Sequence, residues 1–214
     1  MTLPLTPDEL LTTTRSVRKR LDLDRPVPVA LVEECITVAL QAPTGGNSQQ
    51  WQWIVVTDAD LRAQIGDYYA RSFARYRESG ASRRHLVGAG AERLATQDRV
   101  TGSADHLAAV MGRVPVLVIA CLTVGTELPP GNQAGLWGSL LPAAWSYQLA
   151  ARARGLGTAW TTLHLAYERE IAELLAIPAK VRQGVLLPTA YYTGETFKPA
   201  QRDPVASVLH HDRW

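Results

Sequence analysis

Apolar and polar positions alternate along this chain with two different periods, and the switches between them mark its elements. Thr6-Pro7-Asp8-Glu9 reads as a helix start, with Thr6 as cap, Pro7 at the first position and Glu9 completing a capping box. That helix is expected to run to about Thr14. Pro26-Val27-Pro28 opens a second helix, with Leu31, Val32, Cys35, Ile36, Ala39 and Leu40 on one face. It stops at the turn formers of Ala42 to Asn47. Trp53 to Thr57 reads as a strand, and Asp58 caps a third helix. Residues 60–110 are mostly helical and polar, with loose patches at Gly80 and at Gly88 to Gly90. Val114 to Val124 is a β-branched, apolar run and predicts a buried strand. A long apolar helix fills about 133–154. A turn and short strand follow over Gly155 to Thr162, then a helix at about 167–176 and a strand over Val185 to Tyr192. Few strands among many helices, without regular βα alternation, predict an α+β fold rather than a doubly wound sheet.

At 214 residues, with no linker or repeat, the chain is expected to be one domain over 1–214. A net charge of +2 provides no basic field for nucleic acid. The longest apolar run, Val114 to Val124, is too short to span a bilayer, so no membrane role is expected. The N-terminus shows no export signal. Cys35 and Cys121 sit inside apolar segments, which excludes a disulfide scaffold and suits a reducing cytoplasm.

Several motifs fail on inspection. Gly88-Ala89-Gly90 begins a dinucleotide-like pattern, but Arg93 stands at the third glycine's place and no strand precedes it. Gly155-Leu156-Gly157 fails similarly, with Trp160 third. The histidines, His85, His106, His164, His210 and His211, lack zinc-like spacing and read as surface or interface residues, so no metal is expected. Two clusters carry more. Arg15-Ser16-Val17-Arg18 reads either as a solvated basic turn or as two guanidinium forks and a hydroxyl equipped to hold a phosphate. Pro43-Thr44-Gly45-Gly46-Asn47-Ser48-Gln49 reads either as a plain loop or as a close backbone approach to a flat ligand, with amides to read a heterocycle's edge. The tryptophans that follow, Trp51 and Trp53, read as packing beside that loop or in the core, with Trp53, in the strand, the stronger core candidate.

Taken in order, these segments resemble the FMN-dependent nitroreductase family. The resemblance rests on Arg15-Ser16-Val17-Arg18, on Ala42-Pro43-Thr44-Gly45-Gly46-Asn47 through Gln49 to Trp51, on Leu149 to Thr158, on Leu174 to Pro178, and on the tail Arg202 to Trp214. Thr14, Arg20, Gln50 and Ala190-Tyr191-Tyr192 depart from the family's usual residues. The resemblance implies a central, mostly antiparallel sheet flanked by helices, in an intertwined homodimer with two FMN sites at the subunit interface. It implies that Arg15, Ser16, Arg18 and Arg202 hold the cofactor, with Arg202 on the phosphate. Pro43, Thr44, Gly45, Asn47 and Gln49 would lie along the ring. Thr161 and Thr162 would offer backbone groups near its N5. Residues 60–110 would form a variable substrate cover, and residues 199–214 an arm that wraps the partner. The bulk of Leu136, Trp137, Leu140, Leu141, Trp145 and Leu149 on one helix points to a dimer as well.

The activity so implied is transfer of a hydride from NAD(P)H to FMN, then reduction of a small acceptor, such as a nitroaromatic or quinone, in a ping-pong cycle. The flavin carries the chemistry, so no catalytic side chain is required; Arg18 is a candidate to tune it. A flavin-sequestering protein, a reductive dehalogenase and a flavin-fragmenting benzimidazole synthase are the competing readings.

Overall fold

The computed structural model describes residues 2–80 and 90–214. His85, Gly88 and Ala89 lie outside the described residues; Gly90 caps the helix that follows. The first helix, α1 (Pro7–Thr13), starts as its capping box predicts. The Thr6 N–H donates to Glu9 Oε2 at 2.8 Å and the Glu9 N–H to Thr6 Oγ1 at 3.2 Å. The elements that follow are α2 (Val29–Ala39), β1 (Trp51–Val56), α3 (Ala59–Glu78), α4 (Ala91–Val110), β2 (Val116–Thr123), α5 (Ala134–Ala153), β3 (Leu156–Thr158), α6 (Glu168–Leu174) and β4 (Val181–Tyr191).

The four strands form one antiparallel sheet in the order β1-β2-β4-β3. Side chains alternate across a strand, and in β2 both faces are buried. Val116, Val118, Ala120 and Leu122 face a core built with α2 and α5. Leu117, Ile119 and Cys121 face a second core built with Ile65, Tyr69 and Phe73 of α3, Leu107 of α4 and Ile171 of α6. The uninterrupted apolar run of β2 is therefore the centre of a three-layer α+β arrangement. On the second face, α3 presses on the turn at Met111–Arg113. A Cβ on Gly66 would stand 2.6 Å from the Gly112 nitrogen, so glycine is required at this crossing.

Three boundaries differ from the expected ones. β1 begins at Trp51 because Trp51, not Trp53, is the deeply buried residue; its indole N–H donates to the Ser139 carbonyl at 2.7 Å. Trp53 is only partly buried against that core, beside Tyr147. β4 begins at Val181, where Glu168 binds the Arg182 guanidinium at 2.6 Å and the Gln183 N–H at 3.0 Å. Before α6, Leu163–Tyr167 is a 3-10 turn. No described helix is long and apolar enough to cross a membrane.

Candidate functional site

The segment Arg15–Arg18 runs beside β3. The Val17 N–H donates to the Thr158 carbonyl at 2.8 Å, and Ser16 bridges Thr158 in parallel register. Val17 is buried against Gly157, where a Cβ would come within 3.0 Å of the valine side chain. Gly155, at φ 77, ends α5 just before it. The Gly-Leu-Gly sequence is thus a docking notch: it turns the chain and admits Val17, leaving Arg15, Ser16 and Arg18 to line a cavity.

The far end of the chain is brought to the same place by Arg20. Its Nε donates to the Thr193 carbonyl at 2.6 Å and its Nη1 to the Thr196 carbonyl at 2.9 Å. The guanidinium lies 4.2 Å from the centre of the Phe197 ring. Arg152, buried at 3% exposure, donates to the Tyr192 hydroxyl at 2.7 Å, and its guanidinium lies 5.1 Å from the centre of the Phe197 ring, which packs on Tyr192. Arg15 Nη1 then donates to the Lys198 carbonyl at 3.2 Å. These contacts carry Lys198 and Arg202 to the N-terminal arginines.

The resulting cavity measures about 1140 Å³. Arg15, Arg18, Lys19, Arg20, Arg99, Lys198 and Arg202 line it, and among the described residues no carboxylate does. Burial lowers the pKa of Arg15, and the nearby charge of Arg202 lowers it further. Burial also lowers the pKa of Arg18, and Tyr69 partly offsets this. Cations held together on one cavity wall favour an anionic occupant. Gln148, from α5, lines the same cavity. Its Nε2 donates to Thr158 Oγ1 at 2.8 Å, while its buried Oε1 has no partner among the described residues. Trp145 and Trp160 add flat apolar surface.

Arg18 and Trp160 also line a second cavity of about 320 Å³, with Thr161, Thr162 and α3 and α4 side chains. Thr161 Oγ1 lies 3.3 Å from the Tyr69 hydroxyl. The Thr161 N–H and carbonyl are both engaged by Leu186, at 3.1 and 2.9 Å. Both backbone groups of Thr161 are thus committed to the sheet side of the site. The Thr162 N–H has no protein acceptor among the described residues.

The nitroreductase family model matches residues 11–191. The chain belongs to the nitroreductase family. A protein of Methanothermobacter thermautotrophicus, provisionally named NADH dehydrogenase/NAD(P)H nitroreductase, is 24% identical over 210 residues, 96% of this chain and 86% of that protein. A point variant of NfnB, an FMN- and NADPH-dependent nitroreductase from Sphigopyxis sp. strain HMH, superposes with a TM-score of 0.71 at 24% identity, covering 98% of this chain and all of that one. Oxidized iodotyrosine deiodinase bound to FMN and 3-iodo-L-tyrosine superposes with a TM-score of 0.67 at 20% identity, covering 97% and 99%.

Within this nitroreductase-family chain, one group of anticipated residues stands apart. Pro43, Thr44, Gly45, Asn47 and Gln49 line neither cavity. Their loop rests on α5, where the Gly45 N–H donates to Ser139 Oγ at 3.2 Å. Gln49 Nε2 donates to Asn47 Oδ1 at 3.0 Å, and both residues hold positive φ, 47° and 53°. All but Thr44 are solvent-exposed.

Sequence pattern alone does not single out Arg20, Arg99, Gln148, Trp160 or Lys198 as lining residues. A lone glutamine on an apolar helix is a usable signal for Gln148; Arg99 carries none. His164 is corrected outright: it is fully buried, with neither ring nitrogen partnered among the described residues, and burial pushes its pKa down to about 3. Among the described residues no group of three acidic, histidine or cysteine side chains could hold a metal ion.

Proposed function

We propose that this protein is an FMN-dependent oxidoreductase that draws electrons from NAD(P)H and reduces a small acceptor, such as a nitroaromatic or quinone, by a ping-pong mechanism. The observation that carries the reading is the convergence of Arg15 and Arg18 with Arg202, from opposite ends of a nitroreductase-family chain, on one cavity that no carboxylate lines among the described residues. The donor set fits FMN. Guanidinium forks and the Ser16 hydroxyl suit a terminal phosphate, and the unpartnered Gln148 Oε1 suits a hydroxyl or N–H donor.

In this reading Arg15, Ser16 and Arg202 hold the phosphate, and Arg18 stands beside the ring's N1 edge. Bound there, FMN would supply reversible two-electron transfer between NAD(P)H and the acceptor. The protein's part is to bind, orient and tune. Arg18 Nη1 donates to Ser103 Oγ at 3.2 Å, which fixes its charge in place. Thr162, on the lining of the smaller cavity, offers an N–H that has no protein acceptor among the described residues. Pro43, Thr44, Gly45, Asn47 and Gln49 would serve the site of a second copy in a homodimer, which their position outside this chain's own cavities supports. Trp145 and Leu141 on α5, each 39% exposed, and Val205, Val208, Leu209 and Trp214 on the tail supply apolar surface for that pairing. Two buried, unpaired cysteines support a cytoplasmic setting.

The test is to heat-denature the purified protein, chromatograph the released flavin, and follow anaerobic reduction by NADH and NADPH with reoxidation by a panel of acceptors. FMN release and acceptor-dependent turnover are expected. FAD, or no flavin, refutes the reading; FMN retained without turnover returns the flavin-sequestering alternative.

A further inference from the structure

The smaller cavity lies across Arg18 from the wide one, and the cofactor roles above leave most of it unused. Tyr69, Phe73 and Tyr76 of α3, with Trp160, give it aromatic walls, and Leu107 closes it from α4. Arg77 and Arg18 line it, and among the described residues no carboxylate does. The Thr101 hydroxyl, also on the lining, is buried without a partner among the described residues. Arg77 touches Asp105 through Nε at 3.5 Å, with both side chains nearly half exposed. An ion pair so open to water holds its partners weakly. Apart from that ion pair, the Arg77 guanidinium makes no hydrogen bond among the described residues.

We infer that this cavity receives the electron acceptor and favours a planar aromatic molecule bearing a carboxylate or similar single negative charge, read by Arg77. The inference rests on the FMN reading above. Aromatic walls hold a flat ring by offset and edge contacts. A guanidinium with free terminal nitrogens binds a carboxylate through two parallel hydrogen bonds. At about 320 Å³ the space is at the small end for ligand pockets and suits one substituted ring. With two arginines and no acid on its lining, it leaves an ammonium group unpaired, so amines and amino-acid zwitterions are disfavoured.

The experiment uses the FMN-loaded protein without reductant. 4-Nitrobenzoate, 4-nitrobenzyl alcohol and 4-nitrobenzylamine are titrated in, and binding is read from the change in bound-flavin absorbance. The acid is expected to bind about tenfold or more tightly than the alcohol, the scale of one charge-assisted hydrogen bond, with the amine weakest. Arg77→Gln should bring the acid to the level of the alcohol with FMN content unchanged, and Arg77→Lys should recover part of the difference. Asp105→Asn should tighten the acid further. Equal affinity for all three compounds, or a preference that survives Arg77→Gln, overturns the inference and leaves the FMN reading standing. A protein that takes up no FMN overturns both.

Discussion

Replacing Arg202 with alanine separates the two ways a cationic cluster can matter. In the ligand-free protein the charges of Arg15 and Arg202 oppose each other, and Arg202 lowers the Arg15 pKa. Removing Arg202 relieves that repulsion, so the ligand-free variant should be as stable as the parent or slightly more so. With FMN the sign reverses. One lost charge-assisted hydrogen bond costs about 1.5–3 kcal/mol, a roughly ten- to hundredfold weaker Kd. At an FMN concentration of about a hundred times the parent Kd, binding stabilises the fold by about 2.7 kcal/mol. A roughly thirtyfold weaker variant at the same concentration keeps about 0.9 kcal/mol of it. Arg15→Ala should lose similar affinity, and should also loosen the tail that Arg15 holds at Lys198. Arg18→Ala should bind FMN with a lowered reduction potential and stay slow at saturating cofactor. Arg25 is the control: its guanidinium lies 3.5 Å over the Tyr191 ring and lines neither cavity. The assays are flavin fluorescence quenching for Kd and thermal unfolding with and without FMN. Equal affinity across the four variants, or an Arg25→Ala as weak as the others, would refute the assigned site.

Three further outcomes are expected. The protein should sediment as a dimer at micromolar concentration, and removal of residues 203–214 should shift it toward monomer; a full-length monomer that keeps its flavin contradicts the interface. Cys35 and Cys121 should be inert, since burial pushes their thiols up to about 11 and about 12; thiol reagents should label neither before unfolding, and turnover per bound flavin should survive their replacement by alanine. His164 should destabilise the fold in acid. Its folded pKa, about 3, lies below the unfolded value, so the unfolded chain binds the extra proton between about pH 6.5 and 3. Stability should therefore fall with pH across that window by up to about 1.4 kcal/mol per unit, and a His164→Leu variant that unfolds with the same acid profile would contradict this.

Much of the scaffold is legible in the sequence because its signals are local. The Thr6–Glu9 cap, the Asp58 cap and the β2 run each depend on neighbours a few residues away. The start of β4 is not, because Arg182 and Gln183 are polar residues whose partner, Glu168, lies fourteen and fifteen positions off. The arginines of the cavity are legible as a pattern, but the device that gathers them is not. Arg20 stands out in the sequence only as a departure from the family, and it is the residue that pins the tail. Nor does any local pattern reveal that the 43–49 loop lies outside this chain's own cavities, since that depends on how α5 is laid across the sheet.

The pin at Arg20 also sets an order of events. Arg15 and Lys198 are separated by 183 positions, so the cavity closes only when both ends of the chain are present and the sheet between them has formed. A contact of such long range forms only against the loop-closure entropy of the chain between its ends. On the FMN reading, cofactor uptake would belong to the finished protein and not to the emerging chain, and a protease cut after Pro199 would strip Arg202 from the cavity while leaving every strand, both cores and the Arg20 pin intact.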